Sequence, residues 1–281
     1  MELVLEVLSP RSLDRRRDAE EILSLWVSQI PGLAPDRFGN WEPVAERFDL
    51  SAAVHAWKWP FLARRRAPPV SATVFMRHGA EPQHSTISLK FELDDTREPD
   101  LVSALPGFVK ALAVTVNADF GLLHLMSESE VERALRSGTA RIIDRRRRTA
   151  DFHLTTRDLR RFIPDLYWGS LLGRPYVERF GREHLLQTPA TAVEELENGS
   201  IWLQLTQKIS DVAMHPENFN RVRDVAKLHL DKNSFFDPEL HPQTRDFSGR
   251  SPAEVTQKEE AWYRMHEYSL PQFVFEGNEE S

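Results

Sequence analysis

Thr86-Ile87-Ser88-Leu89-Lys90-Phe91-Glu92-Leu93 alternates polar and apolar side chains without a break. Successive side chains of a strand point to opposite faces, so a period of two predicts a strand with one dry and one wet face, the habit of an antiparallel sheet. Val70 to Met76 reads as its neighbour, with His78, Gly79 and Pro82 marking the turn between them. Leu3 to Leu8 is a third strand. Between it and Val70, a helix is predicted from about Asp14 to Ile30. Ala19, Ile22, Leu23, Trp26, Val27 and Ile30 recur there at helical spacing, Arg15, Arg16, Arg17 and Asp18 fill the first turn, and Pro31-Gly32 stops it. Beyond Leu93, Pro106 is expected to open a helix carrying Phe108, Val109, Leu112, Ala113 and Val116, ending near Phe120-Gly121. Gly121 to Met126 is a short apolar strand, and Ser127 with Glu130 has the spacing of a capping box for a helix to about Ser137. Strand, helix, strand, strand, helix, strand is the order of a ferredoxin-like unit, so the expected class is α+β, with antiparallel-rich sheets packed against helices.

Arg145-Arg146-Arg147-Arg148 is the most polar punctuation and reads as a linker. After it come a strand at Asp151 to Thr155 and a helix from Pro175 through Tyr176, Val177, Phe180, Leu185 and Leu186, closed by Pro189. Ala190 to Glu197 and Ser200 to Thr206 flank Asn198-Gly199, a dipeptide suited to a two-residue type I′ hairpin turn. A helix with Phe219, Val222 and Ala226 on one face is predicted from about Glu217 to Leu230. The expected organisation is an N-terminal α+β half over 1–148, a related βαββαβ-like half over 149–237, and an extended arm over 238–281 that packs on the core and frays at Glu276 to Ser281.

With 281 residues, 41% of them apolar and 28% charged, the chain has the composition of a globular protein with a sizeable core. The absence of Cys excludes disulfides and thiolate metal sites and suits a reducing compartment. Met1 to Leu8 has no basic start and no unbroken apolar run, and no window approaches the ~18 consecutive apolar residues of a membrane helix. A soluble, cytoplasmic protein without a membrane partner is expected. Residues 1–150 carry 21 basic and 21 acidic side chains and residues 151–281 carry 15 and 22, so the whole net charge of −7 lies in the second part. An acidic half favours a basic protein partner over nucleic acid or anionic membranes, and it also serves solubility.

Motifs for chemistry are missing. Neither GxGxxG nor GxxxxGK[ST] nor GxSxG occurs. The nearest approach to a zinc helix, Arg182-Glu183-His184, has no second His and reads as helix surface. His215, His229 and His241 share one acidic segment with several carboxylates, but their spacing demands no metal. Asp94-Asp95 and Glu194-Glu195 read as loop and hairpin charges rather than a placed acid–base pair. Three Arg runs, at Arg15 to Arg17, Arg64 to Arg66 and Arg145 to Arg148, with Trp57 and Trp59 beside the second, raise nucleic-acid binding as an alternative, which the balancing negative charge disfavours. No catalysis, no cofactor and no metal are expected.

The distinctive stretch runs from Pro164 to Asp237. It holds Asp165-Leu166-Tyr167-Trp168-Gly169, Gly173-Arg174-Pro175-Tyr176-Val177-Glu178-Arg179-Phe180-Gly181, the hairpin strand Ile201-Trp202-Leu203-Gln204-Leu205-Thr206, and a late Leu230 with Phe235-Phe236-Asp237. These motifs resemble the immunity-protein families of bacterial polymorphic toxin systems over about a quarter of the chain, with Phe38-Gly39-Asn40-Trp41-Glu42-Pro43 a weaker echo. The resemblance implies a protein that binds a cognate toxin and neutralises it by occlusion. The motif residues read as structural: Tyr167 and Trp168 wedge between sheet and helices, Gly169 and Gly173 allow turns, and Phe235 and Phe236 close the core. For a basic toxin, the candidate contacts are Glu194, Glu195, Glu197 and Asp211. The rival readings are a non-catalytic adaptor or scaffold of a secretion or phage-like system, and the nucleic-acid binder already named.

Overall fold

In the computed structural model, described over residues 2–77, 84–92, 98–137, 140–144, 149–152, 159 and 162–235, the chain opens with β1 (Glu2–Ser9) and α1 (Arg16–Gln29). A 3₁₀ turn at Pro31–Leu33, β2 (Arg37–Gly39), β3 (Glu46–Arg47), α2 (Leu50–His55), β4 (Phe61–Arg66) and β5 (Pro69–Phe75) follow. Next are β6 (Ser85–Glu92), α3 (Pro99–Val116), β7 (Phe120–Met126), α4 (Glu128–Ser137), β8 (Ala140–Asp144) and β9 (Thr149–Phe152). The chain continues with β10 (Gly169–Leu172), α5 (Arg174–Phe180), α6 (Arg182–Leu186), β11 (Ala192–Glu195), β12 (Ile201–Gln204), α7 (Asp211–Met214) and α8 (Pro216–His229). His78, Gly79, Pro82, Leu93, Asp94-Asp95, Arg145 to Arg148, Thr155, Phe236, Asp237 and the arm over 238–281 lie outside the described residues.

Two units are present. The first, Met1–Ser127 with Asp165–Ser234, is built on one ten-stranded antiparallel sheet in the order β11-β12-β10-β7-β1-β6-β5-β4-β2-β3. Its centre, β7-β1-β6-β5, is the ferredoxin-like unit expected from the element order. The division at 148/149 does not break the sheet: β10, from the expected second half, pairs directly with β7, Leu171 opposite Gly121. β7 offers β10 an open backbone edge, and at Gly121 the strands lie close, a Cβ there standing 3.4 Å from both Glu6 O and Leu171 Cβ, an ordinary contact distance.

The register separates the two faces. Leu5, Leu89, Leu123 and Ala72 share the face covered by α1 and α3, where Trp26, Trp57, Phe61 and Phe108 fill the core. The indoles are anchored as well as buried. Trp26 Nε1 donates to Leu33 O at 3.0 Å and Trp57 Nε1 to Leu13 O at 2.8 Å. On the opposite face, Phe120 of β7 meets Tyr167 and Tyr176, while His124 meets Tyr167 and Phe219, with ring centroids 5.4 to 6.4 Å apart. Helices therefore cover both sides of the sheet near β7.

Three local expectations are corrected. α3 begins at Pro99, with Pro106 inside it rather than at its start. An interior proline costs about 3 kcal/mol, but the buried stripe Leu105, Phe108, Val109, Leu112, Ala113 and Val116 recovers about 1.5–3 kcal/mol for each large side chain, so the helix runs through. By length and mean hydropathy α3 has the composition of a membrane span, which the sequence expectation excluded, yet its apolar stripe packs on α1, β1 and β7. The helix from Pro175 is interrupted, because Gly181 adopts φ +84° and separates α5 from α6. The hairpin is not a type I′ turn. Only Gly199 has positive φ, and Gly199 N donates to Leu196 O while Leu196 N donates to Ser200 O, both at 2.8 Å. That is a three-residue loop closed by a glycine bulge, and it sets Glu194 opposite Trp202.

The second unit comprises Glu128–Pro164 with Phe235–Ser281. Its described part has α4 packed on β8 and β9, which form a separate two-stranded antiparallel sheet. The strand expected at Asp151 to Thr155 is β9, ending at Phe152 within the described residues. Phe235, which belongs to this unit, is buried and bridges in parallel to Ile163.

Candidate functional site

The stretch from Asp165 to Gly181 forms a polar–aromatic knot with α8 in the first unit. Asp165 is buried, and its carboxylate accepts from Leu166 N at 2.8 Å and Lys227 Nζ at 3.0 Å, with Arg223 Nη1 at 3.7 Å. Arg223 is fully buried on α8, lies 4.6 Å over the Phe219 ring and donates to Asn220 Oδ1 at 2.7 Å. Buried charges persist only when paired, and Asp165 sits between two cations from one helix. Tyr167 N donates to Ser170 Oγ at 2.9 Å, and Trp168 N donates to His124 Nδ1 at 3.1 Å, which leaves the His124 proton on Nε2. Trp168 O accepts from Leu205 N at 2.9 Å.

The motif glycines are spacers. The Trp202 ring lies where a Cβ on Gly169 would stand, 2.3 Å from its Cη2. A Cβ on Gly173 would lie 2.2 Å from Ala118 O and 2.7 Å from Asp119 Cα, so the chain leaving β10 passes against the backbone before β7. Pro175 occupies the first turn of α5, where its missing N–H costs nothing. Tyr176 is buried, and that burial, reinforced by the Asp119 carboxylate and opposed by Arg179, pushes its phenol well above the ordinary value of 10.0. The Arg179 guanidinium lies 5.4 Å from the half-buried Phe180 ring.

The candidate contact carboxylates lie around the β11–β12 hairpin but do not converge on one face. Glu194 and Glu195 are consecutive on a strand and point to opposite sides of the sheet. Glu194 pairs with Lys110 of α3 at 2.6 Å. Glu195 accepts from Arg182 Nε of α6 at 2.7 Å, and that hydrogen bond holds the Glu195 carboxyl below the usual carboxylate range. Glu197 is exposed in the turn, and Asp211 opens α7 and accepts from Lys208 N at 3.1 Å. Among the described strands β11 is one edge of the sheet.

In the two arginine runs that are described, Arg16, Arg17, Arg64 and Arg65 are paired locally. Arg16 and Arg17 pair with Glu20 and Glu21 one helical turn on, at 3.0 and 2.7 Å. Arg64 pairs with Glu42 and donates to Ala63 O and Ala72 O, and Arg65 donates to Ala34 O at 2.9 Å beside Asp36. Trp57, counted with the second run for base stacking, is buried. Of the three dispersed His, His215 precedes α8, His229 stacks on His184, and His241 lies outside the described residues. Among the described residues no three of His, Asp and Glu are grouped to hold a metal ion.

Sequence reasoning passed over Arg223, the His184–His229 stack and the exposed Trp41, which is 75% accessible. Arg223 had a legible signal. It sits four residues after Phe219 and three before Ala226, at an apolar position of the α8 stripe. The other two have none, because they depend on which segments meet.

No family model and no curated protein matches the chain. Among solved structures, it is similar to a T6SS protein of Pseudomonas aeruginosa at 10% identity and a TM-score of 0.55, over 93% of this chain and 80% of that one. At that identity the likeness is one of fold, and it supports the α+β class read from the order of strands and helices.

Proposed function

We propose that the chain acts in a bacterial secretion-linked toxin system as an immunity protein, binding a protein toxin and covering a surface the toxin needs, without chemistry of its own. The observation that carries this reading is the fold likeness to a T6SS protein over nearly the whole chain. The residues from Asp165 to Gly181 stiffen a scaffold at whose edge the acidic β11–β12 hairpin stands, which suits a binding role. The partner is a basic protein, steered by the −7 net charge. An adaptor role within such a system is the second reading, favoured by the same neighbour. Survival separates the two. Cells expressing the product of the adjacent gene should die without this chain and grow with it. A toxic product untouched by co-expression, or a harmless one, moves the adaptor ahead.

A further inference from the structure

The outer edge of β11 presents backbone groups ready for pairing. Leu196 and Ser200 are a hydrogen-bonded pair. Antiparallel ladders alternate bonded and non-bonded pairs, so Glu194–Trp202 and Ala192–Gln204 are the next bonded pairs, and Val193 and Glu195 turn their N–H and C=O groups away from β12. Ala192, Glu194 and Glu195 are exposed and Val193 is half-buried. Among the described strands, β12 is the only partner of β11.

Charge selects the occupant. From Gln187 to Gln207 the chain has Glu194, Glu195 and Glu197 and no Lys or Arg; Lys110 and Arg182 reach Glu194 and Glu195 from α3 and α6 but leave both carboxylates partly open to solvent, and Glu197 is exposed. A second copy added antiparallel would bring these glutamates against their own kind, and like charges across a ladder are destabilising. We propose that β11 is a docking edge at which a basic, extended segment of the protein partner adds as an eleventh strand. Glu194 and Glu195 face opposite sides of the sheet, so the segment carries Lys or Arg at consecutive positions, one for each face. Main-chain bonds at Val193 and Glu195 supply the register, and the flanking carboxylates supply the choice of partner. This inference rests on the reading of the chain as a binder of a basic protein.

The test uses the whole chain and a fluorescein-labelled peptide, Val-Lys-Arg-Val-Lys-Arg-Val, with a control carrying glutamate at each basic position. Fluorescence anisotropy should show the basic peptide bound at least tenfold tighter than the control. Val193→Pro removes an outward N–H and none of the hairpin's own bonds, a placement that edge strands tolerate. It should keep the wild-type circular dichroism and weaken the basic peptide at least tenfold. Glu195→Lys leaves the backbone intact and should weaken the basic peptide while improving the control. A wild-type chain that binds neither peptide, or variants that bind as well as wild type, would overturn the docking edge. Growth rescue keeps the two proposals apart. Equal rescue by wild type and Val193→Pro discards the edge and retains immunity. Peptide binding that depends on Val193, without rescue by the wild type, discards immunity and retains the edge.

Discussion

His184 and His229 stack face to face, their ring centroids 4.1 Å apart and their planes 12° from parallel. Each ring also donates through Nε2 to the other residue's backbone carbonyl, at 2.8 and 2.9 Å. The reciprocal pair ties the short helix α6 to the end of α8, at the side of the sheet that also holds Arg182 and its partner Glu195.

Because each histidine is held by the other, their contributions to stability should not add. Urea unfolding of His184→Ala, His229→Ala and the double variant should give a coupling energy of about 1 kcal/mol. Strict additivity would mean the stack contributes nothing.

Gly173, between β10 and α5, and Gly107 of α3 make a contrasting pair. Gly173→Ala drives a methyl into the Ala118 carbonyl and the Asp119 backbone, neither of which can rotate away, and should cost about 3 kcal/mol. Gly107→Ala lies exposed on α3 with no atom within 4 Å and should stabilise by about 0.5–1 kcal/mol. Thermal melts of the two variants should move in opposite directions.

Removal of the Asp165 carboxylate deprives Arg223 and Lys227 of their shared counter-charge inside the protein. Asp165→Ala should destabilise by about 3 kcal/mol, whereas Glu20→Ala, which opens the exposed pair with Arg16, should cost less than about 0.5 kcal/mol. Similar midpoints for both variants in denaturant would show that the α8 cations need no buried partner.

Alkaline titration should register Tyr176. Its phenol ionises above its unfolded value of 10.0 in the folded chain, so the folded state holds the proton more tightly. The stability this gives is complete below pH 10 and is lost as pH rises toward the folded value. Unfolding free energy followed from pH 9 to 11 should fall, and Tyr176→Phe should flatten that fall. An equally steep decline in the variant would assign it to other groups.

The sequence by itself determined the elements whose signals are local. The alternation of Thr86 to Leu93 specified β6, and the apolar stripe from Ala19 to Ile30 specified α1. Together with the order of the flanking elements they specified the ferredoxin-like centre, since period and order need no knowledge of distant contacts. Gly169 and Gly173, expected to allow turns, instead make room for the Trp202 ring and the Ala118–Asp119 backbone, neighbours that no local pattern names.

Tertiary structure alone decided the rest. It set β10 beside β7 and so merged the two expected halves of the first unit into one sheet, because strand edges pair with whatever complementary backbone reaches them. It carried α3 through Pro106, because burial of the apolar stripe outweighed one lost hydrogen bond. It separated Glu194 from Glu195, one against Lys110 and the other against Arg182, because a one-residue bulge at Gly199 fixed the hairpin register and strand alternation did the remainder. Periodicity is a property of neighbours in sequence, whereas register, edge and charge pairing belong to segments that meet only in the folded chain.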